Sequence, residues 1–341
     1  MKCTIKDIAK EAGVSITTVS LVLNNKPCRV AVQTRENIIK ISKRLHYKPN
    51  STAKALVTKK TQTLGLIIPD ISNPFFSELA KGVEMEAQKN NYHIIFCNSN
   101  QNGKKDLTNL ELLISKQIDG LIISTSLNNS DTKYINQFNR LIFENELPVV
   151  AVDRKIPNKN YDTVSLDHRE GGFLATMHLL ELGHRKIGCI TGPTDSDSAN
   201  ERYKGYIDAL SLYDVPHDKS LVYHGDYQIN SGIEGCEELI KKGVSAIFAC
   251  NDMMACGAIR QARLMDKIIG KDISIIGFDN ISICEILDQP LTTIHQPVYE
   301  MGKNACELII TLINEPRSKN QLIKFLPTLI KRATTNTYIE D

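Results

Sequence analysis

Thr4-Ile5-Lys6-Asp7-Ile8-Ala9-Lys10-Glu11-Ala12-Gly13-Val14-Ser15-Ile16-Thr17-Thr18-Val19-Ser20-Leu21-Val22-Leu23 opens the chain with two short amphipathic segments around one glycine. Thr4 suits the N-cap of a helix that carries Ile5, Ile8, Ala9 and Ala12 on one face. Gly13 can take the positive φ of a tight turn. A second helix is expected from Ile16 or Thr17, turning Val19, Val22 and Leu23 inward and ending near Asn24-Asn25. Two short helices joined through such a turn make a helix-turn-helix, the unit that lays its second helix in the major groove of DNA. Thr34 is expected to cap a third helix whose Ile38, Ile39, Ile41 and Leu45 close a small core.

Charge points the same way. The formal net charge of +2 hides a steep asymmetry: residues 1–60 hold thirteen Lys and Arg against Asp7, Glu11 and Glu36, a net +10, and the other 281 residues carry a net −8. A basic head on a mildly acidic body implies a polyanionic partner at one end. At 341 residues and 42% hydrophobic, the chain suits two or three domains and can bury a large core. Met1-Lys2-Cys3-Thr4 leads into the first helix without the apolar stretch of a secretory signal, and the longest apolar runs, such as Leu64–Pro69, are too short to span a bilayer. Nine dispersed cysteines without a CxxC pair read as reduced thiols, not as a disulfide framework or a zinc site. The expectation is a cytoplasmic, nucleoid-associated chain with no membrane partner, no metal and no cofactor.

The match extends beyond a bare helix-turn-helix. Thr4-Ile5-Lys6-Asp7-Ile8-Ala9, Ala12-Gly13-Val14-Ser15, Thr18-Val19-Ser20, Leu23-Asn24 and Leu45-His46-Tyr47-Lys48-Pro49-Asn50 together resemble the lactose-repressor (LacI/GalR) family of bacterial regulators. The resemblance implies that Ile16 and Thr17 open the recognition helix, with Leu21 one turn on. Thr17 would bond a base edge, and Ile16 and Leu21 would meet thymine methyl groups. Leu21 stands where many relatives carry a polar or basic residue, a departure that bears on operator sequence. Thr4, Ser15, Thr18, Ser20 and Asn24 fit phosphate contacts or caps, and Arg29 with Lys26 adds backbone contacts. Asn50-Ser51-Thr52-Ala53-Lys54-Ala55-Leu56 matches the family's hinge helix, too short to be stable alone. Paired with a second subunit over the minor groove, Asn50 and Ala53 would contact DNA and Leu56 would wedge between base steps.

From Leu64 onward, short apolar strands alternate with amphipathic helices. Expected strands are Leu64–Pro69, His93–Cys97, Gly120–Ser124, Val149–Val152, Val164–Leu166, Lys186–Ile190, Ala246–Cys250 and Ile273–Gly277. Such alternation means α/β architecture with doubly wound parallel sheets, and ligands bind outside the carboxyl ends of the strands. Polar residues cluster there: Asp153-Arg154, Asn251-Asp252, Asp279 and Gln296, with Asn73 and Phe75-Phe76 after the first strand, Arg202 near a helix start and Tyr227 after Gly225-Asp226. Taken singly, an Asp after a strand is more often a cap or turn residue. Recurrence at strand ends favours a small-ligand cleft with few polar groups and aromatic walls.

The body is similar over its whole length to the core of the same family, itself related to periplasmic sugar-binding proteins, and looks closest to the ribose-repressor branch. The carrying residues are Ser72-Asn73-Pro74-Phe75-Phe76, Cys97-Asn98-Ser99, Ile190-Thr191-Gly192-Pro193, Asn251-Asp252 and Leu291–Pro297. By that resemblance Phe75, Phe76, Asp153, Arg154, Arg202, Tyr227, Asn251, Asp279 and Gln296 form the effector pocket, and D-ribose or a related sugar is the effector.

The implied organisation is a helix-turn-helix head over residues 1–49, a hinge and linker over 50–63, and a two-lobed periplasmic-binding-protein-like core over 64–341. Its N-lobe would take about 64–160 plus 295–322 and its C-lobe about 163–292 plus 324–341, with crossovers near Asp153–Val164 and Gln296. The implied function is sugar-controlled repression by a homodimer on a near-palindromic operator. Another sugar, a purine, or a phosphoprotein co-repressor are the alternatives within the class. An enzyme is disfavoured: the chain lacks GxxxxGK, GxGxxG after a strand, HExxH and a nucleophile elbow. His184-Arg185, just beyond an expected helix end, reads as charge complementing that helix's C-terminus.

Overall fold

The computed structural model describes residues 4–23, 27–47, 60–128, 130–317 and 319–338. Residues 1–61 and 62–341 form separate compact units.

In the head, α1 (Ile5–Ala12), α2 (Ile16–Leu23) and α3 (Val32–Arg44) enclose Ile8, Ala9, Val19, Val22, Ile38 and Ile41. Asp7 closes the first helix by accepting from the Thr4 amide at 2.8 Å and the Thr4 hydroxyl at 2.7 Å. Gly13 stands at φ 67°, as the turn requires. The third helix departs from expectation. It starts at Val32, with Ala31 in the cap position, so Thr34 lies inside the first turn. Ala31 has no side-chain bond to offer; its carbonyl instead takes the Arg35 amide at 3.1 Å.

The body is built on two six-stranded sheets. The N-lobe sheet comprises β1 (Thr63–Ile68), β2 (His93–Asn98), β3 (Gly120–Ile123), β4 (Val149–Val152), β5 (Asp162–Leu166) and β11 (Leu322–Phe325), ordered β11-β5-β4-β3-β1-β2 and parallel throughout. The C-lobe sheet comprises β6 (Ile187–Thr191), β7 (Val222–His224), β8 (Ala246–Ala249), β9 (Ser274–Asp279), β10 (Thr292–His295) and β12 (Thr328–Ile330), ordered β12-β10-β9-β8-β6-β7. Only β12 runs antiparallel to its neighbour. Every residue of β3, β4, β8 and β9 is buried, as expected for strands covered on both faces by helices.

The helices that place the cleft residues are α4 (Pro74–Lys89), α5 (Gly103–Ser115) and α6 (Thr132–Glu144) in the N-lobe, then α7 (His168–Glu181), α8 (Asp197–Leu212), α9 (Ile229–Lys241), α10 (Asp252–Leu264) and α11 (Ile283–Ile286) in the C-lobe. α12 (Val298–Asn314) returns to the N-lobe and packs on α4. α7 and α8 approach so closely that a Cβ on Gly172 would lie 2.0 Å from the Arg202 carbonyl oxygen.

The chain passes between lobes at Asp167, at Gln296-Pro297 and at Leu326-Pro327. The first crossover therefore lies beyond the Asp153–Val164 segment expected from sequence. After Asp153 the chain loops back, and β5 joins the N-lobe sheet with Ala151 paired to Thr163. Its polar residues find partners there: Asp162 accepts from Arg317 and from the Gln321 amide at 2.9 Å. β11 then pairs with β5, Leu322 opposite Thr163, so residues 322–325 also belong to the N-lobe.

Candidate functional site

In the head, Val19 and Val22 bury one side of α2, which turns Ile16 and Thr17 to solvent and leaves Ser20 and Leu21 half-buried. Ile16 keeps 44% of its surface exposed. Ser15 caps α2, accepting from the Thr18 amide at 3.0 Å, and its hydroxyl lies 2.9 Å from that of Thr18. Thr4 caps α1, and Arg29 is exposed. Asn24, Lys26, Asn50, Ala53 and Leu56 lie outside the described residues.

In the body, the strand-end residues converge. Asn73, Phe75 and Phe76 at the start of α4, Asp153 and Arg154 after β4, Ser198 and Arg202 on α8, Tyr227 before α9, Asn251 after β8 and Asp279 at the end of β9 line one cavity between the lobes. Its volume is about 20 Å³, room for roughly one water. Outward of Arg154 the cleft widens to about 420 Å³ between residues such as Gln101, Ser126, Asp226 and Gln228. Gln228 donates across this mouth to Asp70 at 3.2 Å, and Arg154 donates to Gln101 at 3.1 Å.

The polar groups form an ordered set. Arg202 lies with its guanidinium carbon 3.8 Å from the centroid of the Phe278 ring. It donates to the Cys250 carbonyl and reaches Asp279 Oδ1 at 3.5 Å. Gln296 donates to the same Asp279 oxygen at 2.6 Å. Asp153 stands 3.7 Å from Arg154 Nε. Burial pushes the carboxyls of Asp153 and Asp279 above the usual range, against the pull of the neighbouring arginines. Among the described residues, Asp153 Oδ1, Arg154 Nε, His168 Nε2 and Gln296 Oε1 are buried without a hydrogen bond. Asp153, Tyr227 and Asp279 hold φ of 64°, 69° and 119°, the left-handed side that side chains rarely adopt. Such strain gathers where side chains are aimed at a ligand.

Each predicted pocket residue lies in or beside this cavity, with different freedom. Asn251 caps α10 through Oδ1, taking the Met254 amide at 2.9 Å, and donates Nδ2 to the Tyr227 carbonyl at 3.0 Å. It shapes the wall rather than offering free polar atoms. Phe75 and Phe76 meet edge-to-face at 4.9 Å, and Asn73 fixes the helix start by accepting from the Phe75 amide at 3.0 Å. The sequence reading missed His168, which is buried with Nε2 3.5 Å from Asp153 Oδ1 and Nδ1 3.4 Å from Arg202 Nε. The rule that picked out Asp153 and Asp279, polar residues directly after strands, also covers Asp167-His168, since the expected strand Val164–Leu166 ends where β5 does.

His184 also differs from expectation. It is buried, with Nδ1 2.9 Å from the Ser245 hydroxyl and Nε2 3.0 Å from that of Ser274, and burial depresses its pKa to about 4. A neutral ring complements no helix terminus; Arg185 takes that part, donating to the Leu180 carbonyl at 2.9 Å.

Comparison with known proteins agrees with both units. Residues 4–50 match the model of bacterial regulatory proteins of the lacI family, and residues 176–335 match the periplasmic binding protein-like domain. The transcriptional regulator DegA of Bacillus subtilis is 36% identical over 98% of this chain and 99% of its own. The ribose operon repressor of Halalkalibacterium halodurans is 36% identical over 97% of each chain, and the repressor PurR of Aliivibrio salmonicida 34% over 98% and 99%. Among solved structures, the lac repressor dimer bound to operator and an anti-inducer superposes with a TM-score of 0.86 at 26% identity, over 98% of this chain and all of that one. A LacI-family regulator from Enterococcus faecium with bound ribose gives 0.74 at 32%, over 81% of this chain and all of that one. These relatives are regulators, not enzymes, and the three sequence relatives and the lac repressor align along almost the whole of this chain. The chain belongs to the LacI family, as a DNA-binding transcriptional repressor.

Proposed function

We propose that this repressor controls genes for uptake or breakdown of a sugar, and that D-ribose or a similarly compact sugar releases it from its operator by binding in the interlobe cleft. The observation that carries the reading is the pair of buried atoms on the cavity wall that make no hydrogen bond among the described residues, Asp153 Oδ1 and Arg154 Nε. A sugar hydroxyl both donates and accepts, so one diol satisfies the carboxylate and the guanidinium together. Phe76 and Tyr227 offer aromatic surface to the apolar side of such a ring. The ribose operon repressor among the relatives and the ribose-bound family member support the same ligand class.

The working arrangement is a cytoplasmic homodimer on a near-palindromic operator, each hinge segment positioned by the angle between lobes. Ligand and operator then oppose each other by about 1–3 kcal/mol, reciprocally. Titration calorimetry with D-ribose, other pentoses, hexoses and purines tests the ligand. Saturable heat with ribose and not with purines supports the reading; heat with a purine alone overturns it. An operator selected from random duplexes, followed by fluorescence anisotropy with and without the sugar, tests release.

A further inference from the structure

His168 sits where the first crossover enters α7, and its surroundings join the lobes. Immediately before it, Asp167 is tied to the N-lobe: its amide donates to the Phe325 carbonyl at 2.9 Å, and its carboxylate pairs with Lys324. Immediately after it, α7 packs against α8 and the C-lobe sheet, where a Cβ on Gly171 would lie 2.6 Å from the Phe278 ring. The imidazole therefore hangs from the pivot between the two sheets.

Its two nitrogens face opposite lobes. Arg202 of the C-lobe donates Nε to Nδ1 at 3.4 Å, so Nδ1 carries no proton and the ring hydrogen lies on Nε2. Nε2 points toward Asp153 of the N-lobe, 3.5 Å from Oδ1, and neither atom makes a hydrogen bond among the described residues. Burial first, then the charges of Arg202, Arg154 and Lys324, keep the ring from taking a second proton. Arg202 continues the line to Asp279, and Asp279 to Gln296, which lies on the second crossover. A ligand that pulls Asp153 and Arg202 together must act on groups anchored at two crossovers.

We propose that His168 is a positioning residue that couples occupancy of the cleft to the angle between lobes, by holding Asp153 and Arg202 in register across the pivot. The proposal rests on the cleft being the effector site and assigns the transmission of the signal to one side chain. His168 touches the ligand-binding groups and acts through them. Glutamine can supply an acceptor and an N–H donor from one side chain, whereas leucine supplies neither.

Hydrogen–deuterium exchange on the full chain without ligand tests this, comparing wild type with H168L, H168Q and D153N. H168L should exchange fivefold or more faster at residues 166–168 and 295–298, with amides of β3 and β8 within twofold of wild type. H168Q should stay within twofold throughout. Adding D153N to H168L should give far less than the product of the single effects at the crossovers, since both remove one contact. Unchanged crossovers in H168L, equal acceleration across both lobes, or H168Q as defective as H168L would each overturn the proposal. With D-ribose at equal calorimetric occupancy, both crossovers should be protected in wild type and not in H168L; equal protection in both would overturn it. Absence of ribose heat in wild type counts against ribose as the effector, and the ligand-free comparison still decides the role of His168.

Discussion

Arg154 of the N-lobe holds its guanidinium 5.5 Å from the ring centroid of Tyr227 in the C-lobe, and 5.7 Å from that of Phe76 in its own lobe. One side chain thus bridges the cleft by cation–π contact, at about 0.5–2 kcal/mol for each ring. Its Nε is buried without a hydrogen bond among the described residues. Replacing Arg154 with methionine should raise the dissociation constant for D-ribose by about tenfold or more. Unaltered calorimetry would remove Arg154 from the site.

Arg202 is held more deeply. Its loss leaves Asp279 buried with Gln296 as its remaining polar partner and the Cys250 carbonyl without its donor. Breaking a buried pair costs about 3–5 kcal/mol, so R202A should be destabilised on that scale in urea and should give no heat with sugar. R202K keeps the charge and loses the planar fork, and should fall between the two. Full binding by R202A would exclude it from the pocket.

Acid should loosen the C-lobe. His178 and His184 are depressed from 6.5 to about 4, chiefly by burial. The unfolded chain therefore binds their protons first as pH falls. The stability they secure is complete above pH 6.5 and is lost as pH falls toward 4, on the order of 2 kcal/mol for each ring. Melting temperature at pH 7.5, 5.5 and 4.5 should drop in that window. H184N, which cannot take up a proton, should flatten part of the drop while lowering stability at pH 7.5.

The head separates specificity from attraction. T17A should relax preference at one base position, by about 1–3 kcal/mol, with the salt dependence of binding intact. R29A should weaken binding to all sequences alike and reduce the slope of log affinity against log salt by about 1. Anisotropy titrations at several salt concentrations distinguish the two; a change of slope in T17A would recast it as a phosphate contact.

Leu56 carries the expected hinge wedge. L56A should weaken operator binding by about tenfold or more through loss of base-step insertion, with sugar calorimetry unchanged. Operator affinity equal to wild type would leave the hinge without that role.

Much of this was legible because the decisive residues act locally. Thr4 and Gly13 delimit α1 by a cap and a left-handed turn, and the fully apolar runs of β3, β4 and β8 announce buried parallel strands. The start of α3 was not legible, because Ala31 carries no capping group and Thr34 does. β5 was cut short, since Asp162 reads as surface until Arg317, 155 residues later, comes to pair with it. The end of β5 at Leu166 was as expected, and Asp167-His168 directly after it was passed over.

The expected pocket residues came from the family resemblance, with the recurrence of polar groups at strand ends beside it, yet their division of labour was invisible. Asn251 and Asp153 look equivalent in sequence; in three dimensions one is spent on a helix cap and the other is presented by a left-handed backbone. Bonds such as Gln228 to Asp70, 158 residues apart, have no local signature at all.

The pairing of β11 with β5 also governs how the protein is made. Leu322 meets Thr163 across an intervening C-lobe, so the N-lobe sheet lacks its last strand until nearly the whole chain has left the ribosome. Contacts this distant in sequence form late and slowly. During synthesis β5 presents a bare strand edge, the kind of edge that recruits wrong partners. A nascent chain stopped before Leu322 should be kept soluble only by a chaperone, while one released just past Ile330 can close both sheets.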